Sequence, residues 1–156
     1  MGADVNENIS IAANGTHATL FSDAANGTMD LHGMDSIELR PLGGADNITV
    51  GDLIDTDVTE VNIDLRGPNG DTDGAVDNLT VNGTNGADVI GISGDTGGVH
   101  VSGLHADIKM FFTDANDRLT VCGGGRDDVI SASGLEAGAM RADHERRSWQ
   151  RRQRRR

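Results

Sequence analysis

Asn78-Leu79-Thr80-Val81-Asn82-Gly83-Thr84-Asn85-Gly86-Ala87-Asp88-Val89-Ile90-Gly91-Ile92 is the stretch on which the fold turns. It opens on a run that alternates aliphatic with polar residues and closes on another short aliphatic run. Between them lie asparagines and glycines, which accept the positive φ that tight turns demand. Strand, turn, strand is the simplest reading.

The same arrangement recurs outward in both directions. Gly-Ala-Asp stands at Gly2-Ala3-Asp4, Gly44-Ala45-Asp46 and Gly86-Ala87-Asp88, at intervals of 42 residues, with a degenerate copy at Gly125-Arg126-Asp127 after 39 more. A strand-like unit precedes each later triplet: Ser36-Ile37-Glu38-Leu39, Asn78-Leu79-Thr80-Val81 and Arg118-Leu119-Thr120-Val121. Another follows: Asn47-Ile48-Thr49-Val50, Val89-Ile90-Gly91-Ile92 and Val129-Ile130-Ser131. Fixed-period self-similarity marks a repeat architecture. Within the third copy the apolar runs Val89–Ile92, Val99–Val101, Ile108–Phe112, Leu119–Val121 and Val129–Ile130 come about every ten residues. Four strands per repeat predict two coils of about 21 residues each, stacked so that equivalent strands pair in parallel. The expected fold is all-β, a parallel β-solenoid of the β-helix or β-roll kind over residues 1–135. Its repeats would span about 2–43, 44–85 and 86–124, with a fourth starting at 125. An antiparallel β-sandwich is the alternative, since short strands at such spacing also build sandwiches.

Composition agrees with a small-residue core. Glycine numbers 22, aromatics make 3% and tyrosine is absent, so burial must come from stacked Val, Ile and Leu. Charge divides the chain. Residues 1–135 carry 22 acidic and 5 basic side chains, a net −17, whereas 136–156 carry 3 acidic and 8 basic. The single cysteine, Cys122, excludes an internal disulfide. The first residues lack a basic region followed by an apolar run, so no signal peptide is read, and no stretch approaches a membrane span.

At its Gly-Asp units the chain resembles the hemolysin-type calcium-binding (RTX-like) repeat family, whose nonapeptide is Gly-Gly-x-Gly-x-Asp-x-aliphatic-x. Cys122-Gly123-Gly124-Gly125-Arg126-Asp127-Asp128-Val129-Ile130 matches it best, with cysteine at the first glycine. Gly83-Thr84-Asn85-Gly86-Ala87-Asp88-Val89-Ile90-Gly91 lacks the second glycine, and the copy around Gly44, Asp46 and Ile48 keeps only those positions. The resemblance implies a secreted, non-enzymatic segment that binds Ca2+ for structural purposes. Its ligands would come from Asp46, Gly86, Asp88, Gly123, Gly125 and Asp127, and extracellular or cell-surface partners would follow. Calcium takes 6–8 oxygens, and in the family two stacked turns supply them. A lone nonapeptide is half a site. With Asp46, Asp88 and Asp127 read as equivalent, the Gly-Asp units stand two coils apart. Metal-independent structural or adhesive scaffolding is the alternative function.

After Leu135 the pattern stops. The arginine-rich residues 136–156 read as a disordered tail. A polybasic arm for nucleic acid is one reading, which the acidic body opposes, so nucleic acid is not the expected partner. The other is a frameshift near Arg141. Read one base later, a permitted choice of codons for Ala142–Arg155 spells Leu-Thr-Thr-Ser-Gly-Gly-Ala-Gly-Asn-Asp-Val-Asn-Gly, a better nonapeptide start than any in frame. Such a shift would remove the tandem array and any C-terminal export signal; the coding DNA decides it. His144-Glu145 lacks the second histidine of a zinc-protease motif, with Ser148 in its place. His17, His32, His100 and His105 read as scattered, and Cys122 as a small thiol near a turn. Asn14, Asn26 and Asn82 each open an Asn-Gly-Thr that serves equally as a tight turn.

Overall fold

The computed structural model describes residues 4–145, and all of its regular structure is β. Thirteen strands follow in order. The first seven are β1 (Asn8–Asn14), β2 (His17–Ser22), β3 (Gly27–Leu31), β4 (Ser36–Leu39), β5 (Asn47–Val50), β6 (Glu60–Asp64) and β7 (Asn78–Asn82). The rest are β8 (Val89–Asp95), β9 (Gly98–Ser102), β10 (Asp107–Phe111), β11 (Arg118–Cys122), β12 (Val129–Leu135) and β13 (Arg141–Glu145). No helix among the described residues is long and apolar enough to cross a membrane.

The strands form two sheets, neither closed into a barrel. The first runs β13-β11-β7-β5-β1-β2-β3, the second β12-β8-β9-β10-β6-β4. A sandwich-like arrangement fits, because alternating residues of both sheets bury their side chains in one apolar cluster. Ile9 and Ile11, Ile48 and Val50, Leu79 and Val81, then Leu119 and Val121 line the first sheet. Ile37 and Leu39, Val61 and Ile63, Ile108 and Met110, with Ile90, Ile92 and Ile130, line the second. Their neighbours in each strand point outward, as the two-residue period of a strand requires. From β4 to β7 the chain alternates between sheets, and it does so again from β10 to β13.

Parallel neighbours hold one register. Asn8, Asn47 and Asn78 lie side by side on β1, β5 and β7, and Arg118 and Arg141 continue the row. The asparagines also bond sideways: the Asn47 amide donates to Asn8 Oδ1 at 3.1 Å, and that of Asn78 to Asn47 Oδ1 at 3.3 Å.

Three expectations are corrected. The sheets are mixed: β1–β2, β2–β3, β8–β9 and β9–β10 pair antiparallel. The cause is local. Gly15, at φ +66°, opens a two-residue turn that folds β2 back on β1, which a parallel crossover cannot do in that length. The step between parallel neighbours is not 21 residues either. It is 39 from β1 to β5, 31 to β7, 40 to β11 and 23 to β13, since inserted hairpins and loops lengthen most steps. Nor does order stop at Leu135. Ala139 and Met140 are buried, and β13 pairs with β11 over five residues. Residues 146–156, the remainder of the arginine-rich segment, lie outside the described residues.

Candidate functional site

The residue just before each inward-facing strand occupies a corner where the chain turns into its sheet, and most of these corners are acidic. Along the first sheet they are Glu7, Asp46, Asp77 and Asp117. All four are buried, Asp46 and Asp117 to 1% exposure. Each corner is stitched to the next by two bonds. The Glu7 N–H donates to Asp46 Oδ1 at 2.9 Å, the Asp46 N–H to Asp77 Oδ1 at 2.9 Å, and the Asp77 N–H to Asp117 Oδ1 at 3.0 Å. In return each corner carbonyl accepts the N–H that opens the neighbouring strand: Asn47 to Glu7, Asn78 to Asp46, Arg118 to Asp77, Arg141 to Asp117. A buried N–H without a partner is costly, so the carboxylates satisfy what the turning backbone would otherwise orphan.

The acids pay electrostatically for that position. Burial pushes Asp77 up to about 8, helped by the charges of Asp117 and Asp46 and opposed by the bond from the Asp46 N–H. Burial likewise lifts Asp46 to about 6, against the Glu7 N–H, and Asp117 to about 6, against bonds from Asp114 and Asp77. The row thus takes up protons in the neutral range.

The second sheet has a shorter version, Asp88 before β8 and Asp128 before β12. The Asp88 N–H donates to Asp128 Oδ1 at 2.9 Å, and the Asp88 carbonyl accepts from Val129 at 2.8 Å. Here the two partial nonapeptides lie directly on each other. Gly83 donates to the Cys122 carbonyl at 2.7 Å and Gly125 to the Thr84 carbonyl at 3.1 Å. Both Asp88 oxygens are taken by Thr84, through its N–H at 2.7 Å and its hydroxyl at 2.8 Å. Asp128 Oδ2 is different: it is buried with no hydrogen-bond partner. It faces Gly123, where any Cβ would collide with it. Gly124, at φ +90°, turns the loop so tightly that a Cβ would strike the Thr84 carbonyl.

These facts revise the placing of the sequence-derived ligands. Asp46 and Asp88 are not equivalent, because Asp46 belongs to the first sheet's row and Asp88 to the second's. Asp127 is not the partner of Asp88 either. Val89 pairs with Val129, so Asp128 stands in that place and Asp127 is exposed. The two glycine-rich loops are immediate neighbours, not two coils apart. The loops that carry Gly86, Asp88, Gly123 and Gly125 therefore lie against each other, while Asp46 lies elsewhere. Sequence reasoning missed Glu7, Asp77, Asp117 and Asp128. The signal was an acid directly before Asn-Ile-Ser-Ile, Asn-Leu-Thr-Val, Arg-Leu-Thr-Val and Val-Ile-Ser-Ala, visible once alignment starts from the strands and not from Gly-Ala-Asp.

Comparison of the chain with protein-family models, with curated proteins and with solved structures finds no match.

Proposed function

We propose that the chain is a structural repeat segment of the hemolysin calcium-binding type, wound as a two-sided parallel solenoid with antiparallel hairpins inserted. In this reading β1, β5, β7, β11 and β13 are one side of successive coils, and strands of the second sheet are the other. The β2–β3 hairpin covers the edge of the first coil, where an open solenoid needs protection. A secreted setting, where calcium is plentiful, belongs to the same proposal.

The observation that carries it is the stacking of the Gly83–Asp88 loop on the Gly123–Asp128 loop, with Asp128 Oδ2 buried and unpartnered against Gly123. In the family that the chain resembles, two stacked turns supply the oxygens of the calcium cage. Asp128 would ligate through Oδ2, together with backbone carbonyls of the two loops. Asp88, whose oxygens Thr84 engages, would have to exchange a bond to join them. When bound, the ion would supply positive charge where a −17 body crowds its carboxylates.

Thermal unfolding of the full chain with calcium and with excess chelator tests the reading. A midpoint raised by calcium and unresponsive in Asp128→Asn supports it; linkage gives about 2.7 kcal/mol at a hundredfold excess over Kd. An unchanged midpoint favours a metal-independent scaffold. That second reading has its own support in the Glu7, Asp46, Asp77 and Asp117 row, where backbone N–H groups already do the work of a cation.

A further inference from the structure

The histidines that look scattered in sequence are not scattered in space. The β1–β2–β3 meander pairs Ala18 with Leu31 and Thr19 with Asp30. One step further along that register sets His17 opposite His32, just past the end of β3. Alternate residues of a strand share a face, so Asp30 lies on the same side as His32. That side is outward, because Ala18 and Leu20 hold the inward one at 0% and 8% exposure. The His17 and His32 rings lie 3.9 Å apart between centroids, tilted by 30°. His17 Nε2 is 3.3 Å from Asp30 Oδ1. The nearest ligand atoms of all three residues fall within 4.8 Å of one another.

We propose that His17, Asp30 and His32 form a binding site for a divalent transition metal of the zinc type, separate from any calcium site. Ligand chemistry sets the metal class. Imidazole suits zinc, copper and nickel, whereas calcium selects oxygen alone. Geometry sets the coordination. Two ligands at about 2.0–2.1 Å from a tetrahedral ion stand roughly 3.4 Å apart, close to the spacing of His17 Nε2 and Asp30 Oδ1. The exposed His32 ring would turn out of its stack on His17 to complete three ligands. Three protein ligands leave a fourth position for water, as in sites where zinc meets substrate. An ion pair between His17 and Asp30 alone would not call for a second imidazole laid against the first. Two other histidines lie away from this cluster: His105 Nε2 is 2.9 Å from the Thr56 carbonyl oxygen, and His100 Nε2 is 3.5 Å from Asp107 Oδ1.

The test is a zinc chloride titration of the full chain, followed by nitrogen-edited NMR of the histidine rings. Millimolar calcium and magnesium occupy hard-oxygen sites, and a Cys122→Ser background removes the thiol. The His17 and His32 signals, identified from His17→Asn and His32→Asn, are expected to shift together and saturate at one equivalent. Those of His100 and His105 should stay in place. His32→Asn is expected to weaken zinc binding at least tenfold while leaving the calcium response unchanged. The proposal is overturned if the signals of all five histidines drift in parallel, if none moves, or if His32→Asn stays within twofold of the parent. None of these outcomes bears on the calcium reading, which rests on the other sheet.

Discussion

The two rows of corner acids differ in one oxygen. Along the first sheet, Asp46, Asp77 and Asp117 use a carboxylate oxygen to close the neighbouring corner's N–H, and burial raises their affinity for protons. Along the second, Asp128 closes Asp88 in the same way but keeps Oδ2 buried and unpartnered against Gly123. The same residue type at the same step of the chain thus gives a plain staple in one place and, in the other, a staple whose second oxygen is buried without a hydrogen bond. The neighbouring loop decides which. Gly123 lies directly against the Asp128 carboxylate, whereas the glycines at the Asp46 corner, Gly43 and Gly44, lie against Asp4 and the Val5 backbone.

The sharpest way to break this comparison is to remove one acid from each row. Asp77→Ala orphans a buried N–H in the middle of the longer row and should cost about 2 kcal/mol, lowering Tm by roughly 6 °C. Asp128→Ala orphans one N–H too but also discards an unpartnered oxygen, so its loss should be about half as large. Equal losses would mean that the two rows do the same job.

Next in size is a pH dependence that runs opposite to ordinary acid denaturation. The folded-state values of Asp46, Asp77 and Asp117 lie above the unfolded value of 3.8. Their stabilisation is therefore complete below about pH 4 and is lost as pH rises through about 6 and then about 8. Tm should fall on the order of 5 °C between pH 5 and pH 8, and Asp77→Asn should flatten the upper part of that slope. Two carboxylates act the other way. The Asn8 N–H and amide hold Asp23 below its ordinary value. Burial would raise Asp64, but its bonds to Arg66 prevail and lower it. Their contribution is lost only as pH falls below about 4. Scanning calorimetry across that range reads both limbs, and a Tm that climbs steadily to pH 8 would contradict the buried row.

The smallest effect is the most local. Gly123→Ala drives a Cβ into Asp128 Oδ2 and should cost about 1 kcal/mol while abolishing any calcium response. Gly86→Ala meets only the Thr84 hydroxyl at 3.5 Å and should stay within about 0.5 kcal/mol. If the two glycines behaved alike in denaturant titrations, the contact of Gly123 with Asp128 would have no special tightness.

Much of the strand content was legible in advance. The runs at Val89, Val99, Ile108, Leu119 and Val129 fall on β8 to β12, and the units opening at Ser36, Asn47 and Asn78 fall on β4, β5 and β7. Alternation carries that information because a half-buried strand must alternate. The weakly apolar β3 and β13 were not legible. β3 turns almost all its residues to solvent, and β13 opens on Arg141 and runs into an arginine-rich stretch whose composition disguises its pairing with β11.

The amino-acid sequence by itself determined an all-β chain of short strands, the glycine-rich turns between them, and a core of Val, Ile and Leu without aromatic rings. These follow from local preferences and a two-residue period, which need no knowledge of neighbours. Only the tertiary structure decided which acid stands beside which. A shift of one residue exchanges exposed Asp127 for buried Asp128, and that register is fixed by hydrogen bonds between strands 40 residues apart. It also decided that His17 and His32 meet, because a hairpin sets residues face to face whose separation along the chain says nothing of contact.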